Sequence, residues 1–249
     1  MKHLSLITCL TFTTLAGVHA QDHILKDTYS DVASETHLIG HGPEVGGGNW
    51  KADTDKIQII RSGDDVYVSN GEARSAIAMV PMTADVATGG FTIRAKVRSA
   101  SRPVNENANW IALLVQNEGP GSLFSPGAEY IGIMFGCSKS GFLGYTVVSS
   151  PKERAETSPL VQLKLDGAAA HQSWNVDEFN DVVFSYDPAK HTVSLSVNGN
   201  EIWANEPVQF PEDVPATGMN QFQIAWNGGY DDTGCTDGRV GPVTVTPLP

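Results

Sequence analysis

Beyond its first twenty residues the chain has no apolar run long enough to cross a bilayer, which excludes a helical membrane anchor further along. Basic residues are few: 16 Lys and Arg stand against 28 Asp and Glu, for a formal net charge of −12. That balance argues against nucleic acid or an anionic membrane as partner, and it suits neutral or locally recognised substrates. Helical periodicity is almost missing, so a helical fold is set aside. No internal repeat and no long linker interrupts residues 21–249, so one large domain with its own core is expected there. Cysteine is scarce, at three residues.

The first segment that is plainly present is an export signal. Lys2 supplies a positive charge, Leu4 to Gly17 is mostly apolar, and Val18-His19-Ala20 places small residues at a cleavage position. The apolar run, about 14 residues, falls short of the roughly 20 that span a membrane. Cleavage after Ala20 would start the mature chain at Gln21 and direct it outside the cell or into the periplasm. It would also remove Cys9 and leave Cys137 and Cys235, an even pair that an oxidising compartment is expected to join. The bridge would close a loop of about 100 residues, worth roughly 4–5 kcal/mol in the chain-entropy account.

Strand-like segments recur between clusters of Gly, Asn, Asp and Pro. They are residues 57–61, 66–69, 75–80, 91–98, 110–116, 130–135, 142–148, 221–226 and 240–246. The segment 130–145 reads as a hairpin with Cys137 in its turn, and Asp27 to Asp31 reads as a short strand suited to pair with the C-terminal one. The clearest stretch is Trp174 to Trp203. Val182, Phe184 and Tyr186 alternate with polar residues, as do Val193, Leu195 and Val197. Asp187-Pro188-Ala189-Lys190 supplies the first turn. Asn198-Gly199 supplies the second, a two-residue loop whose central positions both need positive φ. The pattern predicts a three-strand antiparallel meander with one buried face, inside an all-β, antiparallel sandwich.

Trp…Phe-x-x-Val-x-Phe-x-Tyr-Asp…Val-x-Leu-x-Val-Asn-Gly also resembles the central meander of the concanavalin A-like lectin/glucanase superfamily, in its laminin-G-like form. The resemblance spans residues 27–247 and is specific in the meander. It implies a jelly-roll sandwich, and a chain that binds a polysaccharide or glycan, cleaves one as a lyase or hydrolase, or serves a structural or adhesive role. Catalytic motifs carried by enzymes of this fold are missing: no Glu-x-Asp-x-x-Glu strand, no Arg-x-Glu-x-Arg, no Gln-Ile-His, no Tyr-x-Lys-x-Gly-x-Tyr. A lectin-like module is therefore the leading expectation.

Candidate side chains follow from that chemistry. Rings that pack on sugar faces, with carboxylates that bond hydroxyls, point to Trp110, Trp226, Tyr230, Asp231 and Asp232. Trp226 sits at period two from Phe222 and Ile224 and reads equally as core. Asp231, Asp232 and Asp237 with Asn227 offer hard oxygens suited to calcium, or simply a solvated turn. Arg94, Lys96 and Arg98 repeat about 6.6–6.8 Å apart on one strand face. They would suit an acidic polysaccharide, or form the solvated back of a sheet. His37 and His41 make a His-x-x-x-His spacing outside any helix, and His171 with Tyr145 is a conceivable acid–base pair.

Overall fold

The computed structural model describes residues 22–71, 73, 75–98, 109–117, 129–138, 141–150, 160–209, 218–227 and 238–248. The expected export segment, residues 1–20, lies outside them. In chain order the first strands are β1 Leu25–Asp27, β2 Thr36–His37, β3 Lys51–Ala52, β4 Gln58–Ser62, β5 Asp65–Ser69, β6 Ser75–Pro81, β7 Phe91–Arg98 and β8 Asn109–Gln116. There follow β9 Tyr130–Ser138, β10 Gly141–Ser150, β11 Leu160–Asp166, the helix α1 Gly167–His171, β12 Asn180–Asp187, β13 Thr192–Val197, β14 Asn200–Pro207, β15 Gln221–Asn227 and β16 Arg239–Pro247. Among the described residues no helix is long and apolar enough to cross a membrane.

The strands form two antiparallel sheets. One runs β14-β13-β12-β7-β16-β5-β4-β2, with β1 added on β16; the other runs β11-β10-β9-β8-β15-β6-β3. Strand β16 serves two neighbours on one edge. Its start pairs β5 at Val240↔Val68, and after a register shift Val243 to Val245 pair β1 at Asp27 to Leu25. The N-terminal strand thus pairs with the C-terminal one as expected, but it ends at Asp27, because Tyr29 turns the chain with φ of 54°.

Rows of side chains facing inward make the core. In the larger sheet Leu195, Phe184, Ile93, Val245 and Leu25 line up across five strands, all essentially buried. In the smaller sheet the matching row is Val147, Ile133, Leu113, Ile224 and Ala78. The predicted meander is β12, β13 and β14, with Val182, Phe184, Tyr186, Val193, Leu195 and Val197 all buried. Asn198 and Gly199 take φ of 52° and 78°, as the two-residue turn demands. At the first turn the Asp187 carboxylate accepts the amides of Ala189 and Lys190 and pairs with Lys190 Nζ at 2.7 Å.

One expectation needs correction. Cys137 is not in a turn: β9 runs on to Ser138, with Cys137 paired to Asn109 on one side and Phe142 on the other. Continued backbone pairing on both edges keeps the hairpin extended beyond the apolar run that defined it in the sequence.

Candidate functional site

Strands β6, β15, β8, β9 and β10 are neighbours in the smaller sheet and contain no Asp, Glu, Lys, Arg or His. A sheet with one face on the core and one face in water carries charge on the wet side. The larger sheet does so, with Arg94 and Lys96 exposed on β7 and Asp181 exposed on β12. The outer face of the smaller sheet is different: Ala112, Leu114, Tyr130, Val148 and Ala225 form a second apolar cluster there, separate from the main core.

Register places the polar groups of this face in rows. Gln221, Gln116, Tyr130 and Ser150 make one row; Met79, Gln223, Leu114, Gly132 and Val148 make the next. Gln223 is fully buried, and neither atom of its amide has a hydrogen-bond partner. Gln116 is 1% exposed; its Nε2 lies 2.9 Å from the Met79 sulfur, a weak acceptor, and its Oε1 has no partner. Buried orphan amide atoms each cost about 1–3 kcal/mol, so a face built only for stability would not keep two such glutamines. Strand alternation alone shows polar residues at positions 116 and 223. Only the strand order shows that they share an otherwise uncharged face.

Further along the same face stands Trp110, half-buried and packed, like Ile77 and Met134, against that cluster. Its row reads Ser75, Asn227, Trp110, Gly136, Gly144. The two glycines leave the strands on one side of the indole without side chains. Half-buried Asn227 stands on the other side with an amide. Asn227 is four residues from Gln223, about 13 Å along the strand. The face therefore has a half-open aromatic end and a buried amide end.

Trp226, by contrast, is removed from the site. It is 1% exposed and points into the main core, and its indole N–H donates to the Gly238 carbonyl at 3.0 Å. Odd and even positions of β15 face opposite sides, so Trp226 cannot share a face with Gln223 and Asn227. Tyr230, Asp231, Asp232, Asp237 and Cys235 lie outside the described residues, as does the side chain of Cys137. Among the described residues no three His, Cys, Asp or Glu side chains gather as a metal site.

Arg94, Lys96 and Arg98 do share one face, on the outside of the larger sheet, with Arg98 half-buried. Asp181 is opposite Lys96, and Arg239 is opposite Arg98 with its guanidinium 4.7 Å from the Tyr67 ring centre. A cavity of about 210 Å³ beside Lys96 is also lined by Asp64, Asp65 and Phe179, so its wall mixes both signs of charge.

Tyr145 and His171 are not brought together as an acid–base pair. Tyr145 is fully buried, its hydroxyl 3.0 Å from Ser173 Oγ, and burial pushes its phenol up. His171 is exposed on α1. His37 is exposed with Nδ1 2.6 Å from the Asp55 carbonyl. His41 is buried, its Nε2 3.0 Å from Asp27 Oδ2. Asp27 also accepts the Trp50 indole N–H at 2.7 Å and the Tyr29 amide at 2.9 Å. Burial raises the Asp27 carboxyl above its ordinary value, against the lowering effect of those bonds.

No family model matches the chain, and no curated protein matches it in sequence. Solved structures do match in shape. The alginate lyase Aly36B, as a mutant in complex with an alginate tetrasaccharide, superposes with a TM-score of 0.58 at 11% identity, covering 90% of this chain and 96% of that one. The carbohydrate recognition domain of Emp47p gives 0.52 at 13% identity, with 86% and 94% covered. A legume lectin-like domain from Entamoeba histolytica gives 0.51 at 14% identity, with 81% and 91% covered. The chain has the concanavalin A-like fold, the jelly-roll β-sandwich that its meander predicted.

Proposed function

On this concanavalin A-like frame, we propose that the chain is an exported, lectin-like protein that binds a polysaccharide or glycan across the outer face of its smaller sheet. The observation that carries the reading is the pairing of the orphan amides of Gln223 and Gln116 with half-buried Trp110 on one uncharged face. A sugar presents hydroxyls that donate and accept, and an apolar ring face that packs on indole. The fold's lectin and lyase neighbours support a carbohydrate partner. Tyr230, Asp231 and Asp232 as further sugar contacts, and calcium at Asp231, Asp232 and Asp237, belong to the same proposal.

The overlap with Aly36B, together with Tyr130 on the same face as Gln116, favours a second reading, a polysaccharide lyase or hydrolase. The two separate in one experiment. The mature chain is applied to a glycan array, and in parallel to plant and algal polysaccharides with absorbance near 235 nm and reducing ends followed. Retention on the array without new ends or absorbance is the expected result. Turnover would replace the lectin reading with the enzyme, and silence in both would leave a structural or adhesive role.

A further inference from the structure

We infer that Gly136 is a specificity-determining position of the glycan site: a pyranose ring resting on Trp110 occupies the space that a side chain at 136 would fill. The inference rests on the glycan-binding reading and adds the place of the sugar ring and the residue that keeps it open. Among the described residues three glycines lie inside strands of the smaller sheet, Gly132 and Gly136 on β9 and Gly144 on β10. A glycine inside a strand weakens it, and its usual reasons are a bulge, a tight bend, a close approach of backbone, or a ligand. Backbone explains Gly132, because a Cβ there would collide with the Leu113 carbonyl oxygen. Gly144 has φ of 152°, follows the register shift after Phe142, and would collide with the Leu165 carbonyl oxygen.

Gly136 has no such reason within the fold. Its φ is not positive, and although it stands opposite the β10 bulge, a bulge asks for special dihedrals only on the strand that carries the extra residue. Beyond its own chain neighbours, a Cβ built there would meet Leu143 Cβ at 3.5 Å and the Gly144 carbonyl oxygen at 3.8 Å, both ordinary contacts. Directly across from it is Trp110, beside which a side chain would add cross-strand packing that glycine forgoes. Gly136 is half-buried, and Leu143, the extra residue of the bulge, is 37% exposed. The gap over Gly136 is thus bounded by Trp110 on one strand and Leu143 on the other, with Asn227 beyond the indole. The apolar face of a pyranose suits indole and leucine, and its hydroxyls suit the Asn227 amide, which donates and accepts.

The test titrates the mature chain, as wild type, Gly136→Val, Gly136→Ala and Trp110→Ala, with laminarin, galactomannan, xylan and alginate, and records a thermal melt of each variant. Gly136→Val should weaken binding of the responsive glycan by about tenfold while the unfolding midpoint stays equal or rises, since valine suits a strand better than glycine. Gly136→Ala should show the same pair of changes with a smaller loss, and it gives the readout should the valine variant fold poorly. Gly136 variants that bind like wild type would overturn the inference; weakening in Trp110→Ala alone would do so while leaving the glycan reading intact. A midpoint lowered in both Gly136 variants would also overturn it, because the glycine would then serve the fold rather than the ligand. Binding of none of the four glycans by wild type would overturn the glycan reading itself, and the inference with it.

Discussion

Asp27 binds three groups at once, the Trp50 indole, the His41 ring and the Tyr29 amide, and so ties the N-terminal strand to the core. Replacing it with alanine leaves those buried donors without an acceptor, and a loss of about 3–5 kcal/mol in a denaturant melt is expected. Its pH behaviour has an unusual sign for an acid. Burial holds the folded carboxyl above its unfolded value near 3.9, so the folded chain keeps the proton more tightly. Stability from this group is therefore greatest at low pH and falls as pH rises through the folded value. Asp27→Asn removes the titration. The stability of the variant minus that of wild type should rise as pH climbs above about 4, and a difference that falls instead would contradict the account. Trp110 and Trp226 show the same scale in another way. Two residues of one type on neighbouring strands take opposite roles because strand parity sends one outward and the other into the core.

At the level of elements, the meander was legible because period-two alternation and Asn-Gly both act locally. Leu195, the middle of the three buried residues of β13, should cost about 2–5 kcal/mol when cut to alanine, read as a lowered midpoint at unchanged denaturant slope. An unchanged melt would mean that the wrong face had been placed inside. Less local features were not legible. Strands β2 and β3 are two residues each, too short to show any period. Strand β11 does alternate, with Leu163 and Leu165 half-buried between polar residues, but it is a margin strand next to the polar segment 151–159. Cys137 shows the opposite error, a strand cut short in the sequence because its last residues are not apolar.

For the whole molecule, the informative contrast is between the two outer faces. One carries charges of both signs, as a wetted sheet does; the other has none across five strands and buries two amides. Strand sequences contain this contrast, but the order in which the strands assemble is needed to see it. Export and oxidation are further proposals at this scale. Intact mass of secreted protein should match a chain beginning at Gln21, and it should rise by two hydrogens on reduction of a Cys137–Cys235 bridge. A mass unaltered by reductant would rule that bridge out.

The central claim, that sugar is held on the uncharged face, is tested most directly by calorimetric titration of one responsive neutral glycan into wild type, Trp110→Ala and Arg94→Ala. Loss of about 1–2 kcal/mol of binding free energy in Trp110→Ala, with Arg94→Ala like wild type, is the expected result. Weakening in Arg94→Ala with Trp110→Ala unaffected would place the ligand on the opposite sheet and contradict the account.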